Sequence, residues 1–448
     1  MNLNQLTFLS ILWLISLFPA YTFAQDASSK NLTNASLQEV IDFALQNKPN
    51  VKQSFLDEEI AERDINSALS GWLPQISANA SLNHNLKQQV NALTTDGNTS
   101  YITFGTKNTS SLTLQADQQF LNAGLIQASK SARYFRQQYR QNTENTQINT
   151  VVEVSKAFYD ILTSQEQQKI IQENIARLEK QLKDAKAQFD VGLVDNTDYQ
   201  RAQISLSNSK ADRKRNEELL KYKYAYLKSL IGYQTDKELS LTFNNKAMEE
   251  EVLLDTAQVL DPKNRIELRL LETQKQLQTI NTGYNKLAYL PKLSGFINYS
   301  RNYLNNDFSE LYNRAFPSSV AGLSLNIPIF QGTKRIQEIR KSQLLERRID
   351  LEIENAKNNI NAQYERALAT YKAGLNDWRT ANDNVTISKQ VYNTIKLQYD
   401  EGIKTYLDLM SAETDLRTSQ LNYLNALYSL LSAKLDVQQA LGTINITQ

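Results

Sequence analysis

Few side chains in this chain could make or break a bond. Its 448 residues hold one histidine, His84, and no cysteine, which excludes thiolate metal sites and cysteine nucleophiles and leaves little for imidazole catalysis. Carboxylates are plentiful, but they alternate with lysine and arginine along helical stretches and read as solvated faces, so no hydrolytic constellation forms. With 49 basic and 48 acidic residues the net charge is +1, and no electrostatic case for nucleic acid arises. No cofactor and no metal site is implied. Asp408 stands six residues after Gly402, in the first turns of a resuming helix, where the helix dipole favours an acid. Asp198 stands equally far beyond Gly192.

The elements that position these acids follow from what is scarce. Only 13 Gly and 7 Pro occur, against the roughly 7% and 5% of average usage, and long uninterrupted helices follow from that depletion. Leu125 to Val191 contains neither residue, and Thr333 to Glu401 only Gly374. A 67-residue helix at about 1.5 Å per residue would run about 100 Å, too long for a globular interior. Ile171, Ile175, Leu178, Leu182, Ala185 and Phe189 recur at 4-3-4-3-4, a coiled-coil seam. Ala381, Val385, Ser388, Tyr392, Ile395 and Tyr399 repeat it more loosely. After Gly192 and Gly402 a helical pattern resumes for about 40 residues, which predicts two antiparallel helical hairpins.

Length alone would argue for about three domains, but the chain is internally duplicated. Trp72-Leu73-Pro74-Gln75-Ile76-Ser77 matches Tyr289-Leu290-Pro291-Lys292-Leu293-Ser294 at an offset of 217, and Phe189-Asp190-Val191-Gly192 matches Tyr399-Asp400-Glu401-Gly402 at 210. The drop of seven places a longer insert in the first copy. Residues 1–24 read as a signal peptide, with an apolar block from Leu6 to Phe18. Residues 25–232 and 263–448 are the two structural repeats, and 233–262 joins them.

Each repeat also carries charge-free segments of period two: 75–86 and 111–116, then 293–300 and 319–330. Ile76, Ala78, Ala80 and Leu82 oppose Ser77, Asn79, Ser81 and Asn83. Ala321, Leu323, Leu325, Ile327 and Ile329 oppose Gly322, Ser324, Asn326 and Pro328. Such strands suit a membrane barrel, and equally an antiparallel sheet on a soluble core. The expected strand regions are about 75–119 and 292–330, with helical tips at about 190–198 and 400–408. Two strands per repeat make four, too few to close a barrel that needs about eight. Open edges in lipid would leave backbone groups unpaired, so a barrel would have to be shared between chains.

At Leu73-Pro74, Leu290-Pro291, Pro328-Ile329-Phe330-Gln331-Gly332, and the tips Val191-Gly192-Leu193, Thr197-Asp198, Ala202, Gly402, Thr405, Leu407-Asp408 and Ala412, the chain resembles the TolC family of outer-membrane efflux channels. The resemblance covers both repeats. It implies a mainly α fold with membrane β: a homotrimer whose protomers each give four strands to a 12-stranded barrel above a periplasmic helical tunnel. Residues 233–262 would lie in the belt around the tunnel. The implied role is the exit duct of a tripartite efflux or type I secretion system in a Gram-negative outer membrane. Its partners would be outer-membrane lipid, a periplasmic adaptor and an inner-membrane transporter of RND, ABC or MFS type. The competing reading is a soluble periplasmic coiled-coil adaptor or scaffold without a pore.

By the same resemblance Asp408 lines the closed aperture. Three such carboxylates about 6 Å apart would repel by about 3 kcal/mol per pair at an effective dielectric near 20, raising their proton affinity and attracting cations. The family commonly has a second aspartate three residues later, where this chain has Ser411, so the ring is single. Tyr399 and Lys404 match positions that tie the tip shut, with Lys404 in place of arginine and Asp198 as a candidate acceptor. Val191, Gly192, Leu193, Glu401, Gly402 and Ile403 form the candidate adaptor-docking tip. Trp72, Tyr289, Phe120 and Phe330 fall at one end of the strands, as an interfacial aromatic girdle or as packing at the barrel base.

Overall fold

A computed structural model of the chain describes residues 32–192, 195–242, 249 and 252–446. The expected signal peptide and Leu193 lie outside the described residues. Two short helices, α1 (Leu37–Asn47) and α2 (Pro49–Leu69), lead into the first strands. After these come α3 (Ala123–Asp190), 68 residues long, and α4 (Asn196–Ile231). The second repeat runs through α5 (Ile266–Leu287), two strands, α6 (Lys334–Asp400), 67 residues long, and α7 (Tyr406–Leu441). α3 packs along α4 and α6 along α7, so each long helix turns at its glycine and returns. The seam is buried where the heptads place it: Ile171, Ile175 and Leu178 against Leu206, and Tyr392 against Leu409, Ala412 and Leu416.

Four strands form one antiparallel sheet in the order β1 (Gln75–His84), β4 (Asn108–Leu121), β5 (Lys292–Asn305) and β6 (Ala315–Asn326). The register puts Ile76 beside Ala116, Leu114 beside Tyr299 and Ile297 beside Ala321, so all four strands contribute to one apolar face. Ser81 and Ser111 hydrogen bond at 2.8 Å on the opposite, polar face, as do Thr113 and Ser300. On the apolar face Ile76, Leu114, Ile297 and Leu323 are exposed, so no soluble core covers it.

Two differences from the sequence reading have physical causes. The polar connection between β1 and β4 is itself a hairpin, β2 (Gln89–Thr95) with β3 (Asn98–Phe104), which forms a separate two-stranded sheet. Asp96 and Gly97 turn it with φ of 52° and 80°, the positive pair that a tight two-residue turn requires. The apolar alternation continues to Ile329, yet the sheet ends at Asn326. Pro328 offers no N–H to a ladder, and Ile329 and Phe330 stand 92% and 86% exposed.

The main core lies partway along the helices, where Val154, Ile161 and Leu162 of α3 meet Leu227 and Ile231 at the end of α4 and Leu430 near the end of α7. Gly232 and Gly442 end α4 and α7 with φ of 70° and 71°. A Cβ on either would approach the carbonyl oxygen of Asn47 or Asn264 to 2.6 and 2.7 Å, so both positions need glycine twice over. The joining segment is strapped to α6 by two tyrosines seven residues apart: Tyr371 donates to Val252 O at 2.9 Å and Tyr364 to Gln258 O at 2.8 Å. A Cβ at Gly374 would meet Leu430 at an ordinary 3.8 Å, and nothing among the described residues requires a glycine there.

Candidate functional site

The two hairpin tips lie side by side. Each long helix ends on a positive-φ glycine, Gly192 at 72° and Gly402 at 73°. At the second tip the Gly402 N–H reaches Tyr399 O and the Ile403 N–H reaches Gln398 O, at 3.0 and 2.8 Å, closing the last turn of α6. Open space surrounds both glycines, and Val191 and Ile403 are 70% and 72% exposed beside them. Glu401, also exposed, caps α6.

The returning helices start differently, and that difference separates Asp408 from Asp198. Thr405 caps α7 through a reciprocal box: its hydroxyl accepts from Asp408 N at 3.2 Å, and Asp408 Oδ2 accepts from Thr405 N and Oγ1 at 3.1 and 2.8 Å. These bonds, with Lys404 nearby, hold the Asp408 carboxyl below its usual range. Within one protomer this opposes the upward shift expected of a carboxylate ring. In the first repeat the cap is Asp195, itself an acid, which accepts from Thr197 N. No reciprocal bond from the Asp198 carboxylate completes a box among the described residues; Asp198 instead faces Tyr399 and Tyr406, where it adds to the upward push that burial gives their phenols.

Tyr399 sits half-buried between the hairpins, its ring 6.2 Å from Tyr406 and its hydroxyl bonded to Gln188. Lys404 is exposed and makes no ion pair among the described residues. The structure thus brings Asp198 of the first tip to Tyr399 of the second, holds Asp408 in the cap of its own helix, and leaves the Lys404 ammonium in solvent.

Sequence reasoning missed the residues that join the hairpins. Tyr406 is 4% exposed and packs with Ala185 and Ala202 of the other hairpin. Burial raises its phenol to about 12, with Glu413, Tyr399 and Asp198 adding to the effect. Its hydroxyl has no hydrogen-bond partner among the described residues. Two turns further, Glu413 is 4% exposed and accepts from Arg177 Nε at 2.9 Å and from Gln181 at 2.7 Å. The Arg177 guanidinium also lies 5.8 Å from the Tyr392 ring. Arg417 then reaches Asp212 at 2.8 Å. Tyr406, Met410, Glu413 and Arg417 are spaced 4-3-4, a second seam on α7 that the sequence did contain.

At the other end of the molecule the four aromatics lie where the helices meet the sheet. Trp72 Nε1 donates to Ser129 at 3.0 Å, and Gln118 donates to the Trp72 carbonyl at 2.8 Å. Phe120 covers Gly295, where an added Cβ would meet the ring at 2.8 Å. Tyr289 is 50% exposed. Phe330 lies beyond the end of β6. His84 pairs with Asn108 at 2.6 Å at the far end of β1, away from any acid–base partner. Among the described residues no cluster of acids and histidine could hold a metal, and no helix is long and apolar enough to cross a membrane.

A sheet with a largely exposed apolar face, carried on hairpins whose long helices run about 100 Å, defines the protomer of an outer-membrane channel. The family described as Outer membrane efflux protein matches residues 40–233 and 263–443, and the chain belongs to that family. It is 24% identical over 428 residues to the outer membrane protein TolC of Vibrio cholerae serotype O1, covering 92% of this chain and 91% of that protein. Among solved structures, CusC superposes with a TM-score of 0.74 at 17% identity, over 90% of this chain and 91% of that one. The CmeC outer membrane channel of Campylobacter jejuni gives 0.73 at 17% identity, over 92% and 87%.

Proposed function

We propose that three copies of this chain build a passive exit duct through the outer membrane, fed by an inner-membrane transporter through a periplasmic adaptor. The observation that carries the reading is the four-stranded sheet, apolar on one face along all four strands and open at β1 and β6. Such edges need partners in lipid. Because neighbouring strands alternate in direction, β6 of one copy can pair antiparallel with β1 of the next, and three copies supply twelve strands. Three is the number that the family resemblance implies. The transporter is of RND, ABC or MFS type, and type I secretion is the other use of the same duct.

In this reading the tips close the duct. Asp408 lines the constriction, and Tyr399, Asp198 and Lys404 hold the second hairpin against its neighbours. Val191, Gly192, Leu193, Glu401, Gly402 and Ile403 receive the adaptor. The open space at both glycines and the exposed Val191 and Ile403 support docking there. Trp72, Tyr289, Phe120 and Phe330 stand at the periplasmic edge of the lipid. Single-channel recording of the purified protein in planar bilayers tests the duct. Discrete cation-preferring conductance is expected, whereas a protein that stays soluble without detergent and never conducts is a scaffold instead.

A further inference from the structure

Arg301 is the one charged side chain that the four-stranded sheet places on its apolar face. The register aligns it with Leu112 on one side and Pro317 on the other, with Ala80 one strand further. None of these can pair with a guanidinium, and Arg301, exposed, makes no hydrogen bond or ion pair among the described residues. The other charges in these strands, Asp117 and Lys292, fall on the polar face.

Its height in the sheet is informative. Leu293, where β5 leaves the helical end, precedes Arg301 by eight residues on the same face. At about 3.3 Å per residue and a strand tilt of about 40°, Arg301 stands about 20 Å above that level, near the top of an apolar band about 25 Å tall. Tyr299 and Tyr303 flank it two residues away on the same face, and Tyr303 packs edge-on to Tyr312 at 5.0 Å. Aromatic rings at this height mark the membrane–water interface, here the side remote from the helices.

We propose that Arg301, between Tyr299 and Tyr303, binds the phosphate of an outer-leaflet lipid headgroup. The inference rests on the reading of the sheet as a membrane barrel. A cation is costly at mid-membrane and nearly neutral at the interface, and the long arginine stem lies along apolar surface while its head reaches polar ground. The guanidinium fork fits a phosphate with two parallel hydrogen bonds. The tyrosine rings border the acyl chains below the headgroup.

The test uses the full-length protein in phosphatidylethanolamine vesicles that carry either phosphorylated lipid A or its dephosphorylated form. Lipid retained per protein is counted by native mass spectrometry, and conductance is recorded from the same vesicles. Wild type is expected to retain the phosphorylated form about tenfold better, the factor of one charge-assisted hydrogen bond. Arg301→Gln should retain both forms equally, with Arg301→Lys between. Equal retention of phosphorylated lipid by wild type and Arg301→Gln in conducting vesicles overturns this inference and leaves the duct intact. Excess inorganic phosphate that stabilises wild type but not Arg301→Gln, with no further effect of lipid, makes the occupant free phosphate and overturns the headgroup assignment. A protein that neither inserts nor conducts overturns both readings.

Discussion

Asp408 directs its carboxylate to Thr405, so a helix cap and a proposed gate share one group. Substitutions can separate the two roles. Asp408→Ala removes both, lowering the local stability of α7 as other broken capping boxes do and weakening cation preference. Asp408→Asn keeps an acceptor for Thr405 while removing the charge, so selectivity should fall with little loss in thermal stability. Reversal potentials in a salt gradient, read beside melting curves, check both. Unchanged selectivity in the two variants removes Asp408 from the constriction. Tyr406 makes a second residue-scale case. Its buried hydroxyl lacks a partner among the described residues, so Tyr406→Phe should leave stability unchanged or raise it by up to about 1 kcal/mol. The fold favours the neutral phenol. Its stabilisation is complete below pH 10 and is lost as pH rises from 10 through about 12. Wild-type tips should loosen over that window, seen as rising conductance. Because Tyr392 and Tyr399 are also shifted upward, Tyr406→Phe should shrink the alkaline rise. A rise of the same size would show that Tyr406 does not hold the tip.

Between elements, the Arg177–Glu413–Gln181 cluster ties the returning helix of one hairpin to the outgoing helix of the other. Glu413 is buried while Arg177 keeps some contact with water, at 5% and 25% side-chain exposure. Glu413→Ala should therefore cost about 2 kcal/mol, less than the about 3–5 kcal/mol of a fully buried broken pair. The same change should raise conductance by freeing the second hairpin. An apolar pair, Arg177→Met with Glu413→Leu, should recover most of the stability, because no charge is then left buried. Denaturation and conductance of the three variants decide it, and full stability in Glu413→Ala would show that the cluster is not a latch. These ties mark the limit of what the sequence discloses. The hairpins, seams and strand faces were legible because each repeats at its own period, 3.5 or 2, within a local window. Arg177 and Glu413 are 236 residues apart, and only packing two hairpins together shows which surface charges become buried. Likewise β2 and β3 carry weak alternation between polar residues, and the Asp96-Gly97 pair, a local turn signal, does not by itself distinguish a hairpin from a polar loop.

For the whole molecule, the helical and sheet portions differ in what they can do alone. The helices bury a core within one chain, including Val154, Ile161, Leu227 and Leu430. The sheet buries almost nothing: every residue of β1 is exposed, and both outer strands end on unpaired backbone. Three or more strands need a covered apolar face to be independently stable, and this sheet gains one only from lipid and from neighbouring copies. Folding of the barrel is then inseparable from assembly, as for obligate oligomers whose stability depends on protomer concentration. Refolded in buffer without detergent, the chain should show strong helical circular dichroism, while residues 75–121 and 292–326 stay open to protease. Addition of detergent micelles should convert it to a particle with about three times the protomer mass and protect both segments together. Light scattering and mass-mapped proteolysis on one sample make the test. Protected strands at single-protomer mass would mean that the sheet stands alone, and the argument from open edges to a shared barrel would fail with it.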